Sequence, residues 1–123
     1  MTWAAQYIGQ PWVNGSHDCW AFFRRVQREQ FGREVPAVNI DALNLRAILT
    51  EFKNHDEYEN WDEVATPVDG DAVLMSSSRL TSHIGVWLDG CVLHCVRGSG
   101  VVFTKPNQLA SMGYKVTGYY RGR

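Results

Sequence analysis

The dipeptide Asp89-Gly90 constrains this chain more than any other feature. It stands between two short runs rich in β-branched and aromatic residues, His83–Leu88 and Cys91–Val96. Such a pair supplies the positive φ angles that a two-residue type I′ hairpin turn requires. A turn this short fixes register: Leu88 opposite Cys91, Val86 opposite Leu93 and Ile84 opposite Cys95. Alternation then puts Ile84, Val86, Leu88, Cys91, Leu93 and Cys95 on one face, and His83, Gly85, Trp87, Val92, His94 and Val96 on the other. His94 falls diagonal to His83, about 7–8 Å away by backbone geometry, and Gly85 leaves space between the imidazoles.

The remaining elements are read from the same kind of signal. Asp71–Met75, Val101–Thr104 and Val116–Tyr120 are further short strands bounded by turn residues. Upstream the period changes. A helix is predicted from Cys19 to about Phe31, capped by Asp18 and ended at Gly32. Phe22, Phe23, Val26 and Gln30/Phe31 form its apolar stripe, and Arg24, Arg25 and Arg28 point outward. A second helix is expected over Ala42–Phe52 with Asp41 as cap, followed by a polar loop or short helical turn at 53–63. Residues 1–66 thus read mainly as helix and 70–121 as strands, a segregation that predicts an α+β fold. No repeat or linker divides the chain, so residues 1–123 are expected to form one domain.

Composition narrows the function classes. A formal net charge of −1 argues against a surface built to neutralise a nucleic-acid backbone, and the arginines of the first helix read as a solvated face. No apolar run approaches the ~18–20 residues of a membrane helix, so no membrane insertion is expected. The first fifteen residues lack the basic start and apolar stretch of a secretory signal. The chain is therefore expected to be made and left in the cytoplasm unless another machine exports it. The three cysteines match no common zinc spacing and make no disulfide framework. Neither a metal nor another cofactor is expected.

The candidate chemistry centres on Cys19. A cysteine in the first turn of a capped helix meets orphan N–H groups and the positive end of the helix dipole, which favour the reactive thiolate. An imidazole within reach would complete the activation. The hairpin offers His83 as that base and His94 as a group to hold its tautomer. Two readings stay open on these residues alone: a nucleophile with its base, or a small buried thiol beside structural histidines. Cys91 and Cys95 fall on the apolar face with Leu93 and read as core. His94 faces away from both, against a zinc site of these three. His17 precedes Cys19 in a loop, where it could line the site or be solvated. His55 reads as surface.

Four segments together resemble the NlpC/P60 cysteine peptidases of bacterial cell walls. These are Gly9-Gln10-Pro11-Trp12-Val13-Asn14-Gly15; His17-Asp18-Cys19-Trp20 with the helix to Phe31-Gly32 and on to Val35-Pro36; Asp69-Gly70-Asp71-Ala72-Val73-Leu74; and His83-Ile84-Gly85-Val86-Trp87-Leu88 with Val92-Leu93-His94. The resemblance spans Gly9 to about Tyr120. It implies a papain-like fold in which the nucleophile helix packs on a five- or six-stranded antiparallel sheet. It also implies Cys19 as nucleophile, His83 as general base, His94 as the orienting third member and the Cys19 N–H as an oxyanion donor. The chain departs from the family after the cysteine, where Trp20-Ala21 replace the frequent Ser-Gly. It departs again upstream, where Trp12 stands for the tyrosine that helps the oxyanion site and Tyr7 is the alternative donor. Trp12, Asp18, Trp20, His17 and Tyr7 are thus candidates for the oxyanion site and substrate groove.

The implied activity is hydrolysis of peptidoglycan stem-peptide amides, D-γ-glutamyl to diaminopimelate being the family's usual bond, through a thioester. The Asp-Cys-Trp start and the closing Thr117-Gly118-Tyr119-Tyr120-Arg121 most resemble small members encoded with phage and prophage tail genes. That implies tail-tip proteins as partners and the bacterial wall as the place of action. A weakly active structural tail module and a secreted antibacterial amidase are the alternatives.

Overall fold

A computed structural model of the chain describes residues 3–13, 18–35, 61–77 and 82–122. The described elements are a short 3-10 turn at Ala4–Gln6, helix α1 (Cys19–Phe31), and strands β1 (Trp61–Val64), β2 (Ala72–Ser77), β3 (Ser82–Leu88), β4 (Cys91–Val96), β5 (Gly100–Thr104) and β6 (Tyr114–Gly122). Two more 3-10 turns, Pro106–Gln108 and Ala110–Met112, link β5 to β6. The fold is α+β: one antiparallel six-stranded sheet in the order β1-β6-β2-β3-β4-β5, with α1 against β3 and β4.

Helix α1 begins and ends where its cap residues place it. Asp18 is extended, and its carboxylate accepts the Ala21 amide at 2.9 Å, satisfying an orphan donor of the first turn. Gly32 takes the left-handed conformation, φ +65°, that closes the last turn. The helix buries Cys19, Trp20, Phe22, Phe23, Val26 and Gln27. These pack on Ala72, Leu74, Ile84, Val86, Leu88, Leu93 and Cys95 from the sheet. Its far end is pinned by a polar contact: the Gln27 side-chain amide donates to the Gly70 carbonyl at 2.9 Å. A Cβ at Gly70, φ +95°, would meet the Phe31 ring at 2.8 Å, so only glycine lets the helix end approach this closely. Arg28 is exposed as expected, but Arg24 and Arg25 are less solvated. Arg24 donates to the Val35 carbonyl at 2.6 Å, and Arg25 bonds Gln10 and lies over the Tyr7 and Phe22 rings.

The hairpin keeps its expected turn, with Asp89 at φ +51° and Gly90 at +77°. Leu88 pairs with Cys91 and Val86 with Leu93. The ladder stops there, so the expected Ile84–Cys95 pair is not formed and β3 and β4 part at the end that carries the histidines. A Cβ at Gly85 would stand 2.7 Å from Val92 Cγ1 and 3.0 Å from His94 Cβ. Glycine is therefore what lets His94 lie across β3.

Two further expectations change in the structure. Residues 61–63, expected in a loop or short helical turn, belong to β1, which pairs with β6 from Trp61–Gly122 to Val64–Tyr119. This short edge strand takes its pairing from the far end of the chain. Cys95 is buried as expected, but Cys91 is only half-buried, since it sits at the hairpin turn where cover is thinner. The helix expected at Ala42–Phe52 and His55 lie outside the described residues.

Candidate active site

His83 opens β3, beside Met75 of β2. Its neighbour Ile84 points into the core beneath α1, so alternation sends His83 to the opposite face. There its ring stacks on Tyr114, with centroids 4.6 Å apart and planes at 16°. His94, on β4, lies edge-on to the same pair. The two imidazoles are joined directly: Nε2 of His83 is 2.8 Å from Nδ1 of His94. Nε2 of His94 is in turn 3.0 Å from the Thr104 hydroxyl on β5, which donates to Met112 Sδ at 3.6 Å. A line of polar groups thus crosses three strands, and Nδ1 of His83 is the ring nitrogen left outside it.

Both rings are buried, and among the described residues neither has a carboxylate partner. Burial, reinforced by the neighbouring His94, holds the His83 imidazolium well below its ordinary range, and burial lowers His94 to about 4. Near neutral pH both are uncharged, and each has one donor and one acceptor nitrogen.

Cys19 reaches this centre from the helix side. Its sulfur accepts from the backbone amide of Ile84, the residue after His83, and from that of Trp20. Its charge would be felt by the Tyr114 phenol, the ring on which His83 is stacked. The Cys19 thiol, His83 and His94 are therefore brought to one end of β3. Among the described residues the thiol makes no hydrogen bond to either imidazole. The side chain is only 1% exposed.

The thiolate expected from the helix start is not the resting form. Burial, then the Asp18 carboxylate, push the Cys19 thiol up to about 12. The helix terminus and two amides pull the other way and lose, because desolvating a charge costs more than one helix end returns. The site at rest is a neutral thiol beside neutral imidazoles.

The other candidates are placed less centrally. Asp18 is the helix cap and the negative charge nearest the thiol in effect. Trp20 is core: it stacks on Phe23, with centroids 5.8 Å apart, and Phe23 meets Trp61. The Tyr7 hydroxyl donates to Glu29 at 2.5 Å and accepts from Gln30 at 3.1 Å. Those residues are ten and eleven positions beyond Cys19, about 15 Å along the helix, so Tyr7 does not stand at the thiol. Trp12 is half-buried against the core, with the Arg97 guanidinium 5.9 Å from its ring. His17 lies outside the described residues. Thr104 and Met112 were not anticipated. Their contacts come from a pairing of β4 with β5 and a turn that no local motif announces.

A solvent-open cleft of about 320 Å³ runs along α1 just after the cysteine, between Ala21, Phe22 and Arg25 on one side and Cys95 and Val101 on the other. Among the described residues no group of three or more His, Cys, Asp or Glu side chains could hold a metal ion, and no helix is long and apolar enough to cross a membrane. Comparison with known proteins found no match to the chain, neither to a protein-family model nor to a curated protein sequence.

Proposed function

We propose that the chain is a cysteine hydrolase with a papain-like, NlpC/P60-type arrangement, in which Cys19 is the nucleophile, His83 the general base and His94 the residue that orients it. The observation that carries this reading is the 2.8 Å bond between His83 Nε2 and His94 Nδ1, one residue from the Ile84 amide that meets the Cys19 sulfur. The pair commits one nitrogen of His83 and leaves the other for a thiol.

Because thiol and base rest neutral, the proton moves as the bond forms. The thiol gives its proton to His83 Nδ1 while sulfur attacks the amide carbonyl, and backbone amides at the start of α1 receive the developing oxyanion. The imidazolium then protonates the leaving amine, giving a thioester and neutral His83. Water, deprotonated by His83, releases the acid and restores the thiol. The substrate class proposed is the peptide stem of peptidoglycan, cut at the D-γ-glutamyl to diaminopimelate amide. The proposed setting is a phage tail tip that carries the enzyme, with other tail proteins as partners, from the cytoplasm to the wall. A secreted antibacterial amidase would use the same chemistry.

Purified protein incubated with peptidoglycan should release fragments with new amine termini, and Cys19→Ala should abolish them while keeping its fold by circular dichroism. Equal release by Cys19→Ala would overturn the assignment. A second reading, a structural tail module with little or no catalysis, is favoured by one observation: the thiol is closed to solvent and held protonated. Under that reading wild type and Cys19→Ala both leave the wall intact.

A further inference from the structure

We infer that Thr104, held by Met112, is a positioning residue that sets the tautomers of both histidines, so that Nδ1 of His83 is the bare acceptor. The inference rests on the Cys19–His83 reading only for the use to which that acceptor is put.

Thr104 is buried, and its hydroxyl has one proton to give. Its oxygen lies 3.6 Å from Met112 Sδ and 3.0 Å from His94 Nε2. A thioether can only accept, so the contact to Met112 uses the hydroxyl proton. The oxygen is then an acceptor, and His94 must present Nε2–H to it. A neutral His94 with Nε2–H has a lone pair on Nδ1, which takes the N–H of His83 Nε2 at 2.8 Å. A neutral His83 with Nε2–H is bare at Nδ1. The chain therefore runs in one sense, from His83 to His94 to Thr104 to Met112.

The reverse sense is the only alternative with both rings neutral. Thr104 would donate to His94 Nε2, His94 Nδ1 to His83 Nε2, and His83 would carry its proton on Nδ1. A hydroxyl gains more from a ring nitrogen than from a sulfur taken singly. The forward sense nevertheless fills three acceptors, Nδ1 of His94, Oγ1 of Thr104 and Sδ of Met112, where the reverse fills two. One ring in each sense within the same molecule is excluded, since two N–H groups or two lone pairs would face each other across 2.8 Å. Tyr114, stacked on His83, holds the ring in the plane that the chain needs. In the reverse sense the thiol would meet a donor, and His83 could not act as its base.

Nitrogen NMR of histidine-labelled protein near neutral pH should show both rings protonated at Nε2. The near-isosteric Thr104→Val removes the acceptor, so both rings should move to the Nδ1–H form, with kcat lowered about 10–100-fold and KM unchanged. Thr104→Ser should keep the wild-type tautomers and rate, and Met112→Leu should give a mixture of tautomers. Nδ1–H rings in the wild type, or unchanged tautomers in Thr104→Val, would overturn the inference. Wild-type tautomers as stated with no hydrolysis of any wall peptide would uphold it and count against the hydrolase reading instead.

Discussion

Two buried polar centres stand on the same sheet and are built in opposite ways. At the start of β2 the Asp71 carboxylate is held by an arginine and a backbone amide. The Arg121 guanidinium of β6 grips it at 2.9–3.3 Å, and the Val68 amide donates at 2.8 Å. At the start of β3, His83 and His94 have no counter-ion among the described residues, and burial keeps them neutral. A buried charge is costly unless it is paired and hydrogen-bonded, and that pairing occupies its lone pairs. Two buried bases kept neutral retain a lone pair, and that lone pair is what chemistry can use. The Asp71 centre ties β6 to β2, whereas the His83 centre holds an acceptor in place beside a thiol.

Acid should separate the two centres most strongly. The His94 imidazolium is favoured in the unfolded chain below the ordinary value of 6.5 and disfavoured in the fold down to about 4. The stabilisation is therefore complete above about pH 6.5 and is lost as pH falls through that window. The loss is about 3 kcal/mol for His94 alone, with His83 adding in the same direction. Urea midpoints measured from neutral pH down to about pH 4 should fall accordingly, and His94→Gln should flatten the slope. A wild-type midpoint that stays level across the window would break the account of the histidines as uncompensated bases.

Cutting the ion pair should act on stability alone. Arg121→Ala leaves the Asp71 side chain, 3% exposed, without its main partner, whereas Arg121 itself is 41% exposed. Solvent at the arginine end softens the loss, so the urea midpoint should fall without the variant unfolding. Hydrolysis per folded molecule should be unchanged at a temperature where the variant is folded. A fall in activity larger than the fall in folded fraction would show that the two centres are coupled through β2 and β3.

What the sequence reveals of this molecule follows the range of the forces involved. Helix α1 and the hairpin turn are legible because Asp18, Gly32 and Asp89-Gly90 act on their own neighbours. The faces of β3 and β4 follow from that turn, and with them the meeting of His83 and His94. Strand β1 is not legible, because a short edge strand exists only by pairing with residues almost sixty positions away. Tyr7 is misplaced in the linear reading, since its hydroxyl is claimed by Glu29 at the far end of α1. Thr104 and Met112 need the β4–β5 register and the turn after it. The thiol's protonation state was the hardest to foresee, because it depends on a burial that no local pattern encodes.

That protonation state can be probed with the smallest change. Asp18 does two things at once: its carboxylate caps α1 through the Ala21 amide, and its charge is the second cause, after burial, of the raised Cys19 thiol. Asparagine caps a helix about as well as aspartate, so Asp18→Asn should leave stability within about 0.5 kcal/mol while removing the charge. The thiol should then ionise more readily but remain above its ordinary range, because burial is untouched. Iodoacetamide labelling of Cys19, assigned by mass spectrometry, should quicken roughly threefold to tenfold at mildly alkaline pH, one unit of pKa being tenfold in thiolate. Asp18→Ala serves as the contrast, since it should cost about 1 kcal/mol by losing the cap as well. An unchanged labelling rate in Asp18→Asn would mean that burial alone holds the thiol protonated. The gate to chemistry would then be the opening of the site to solvent, with the electrostatics of its helix start having little effect.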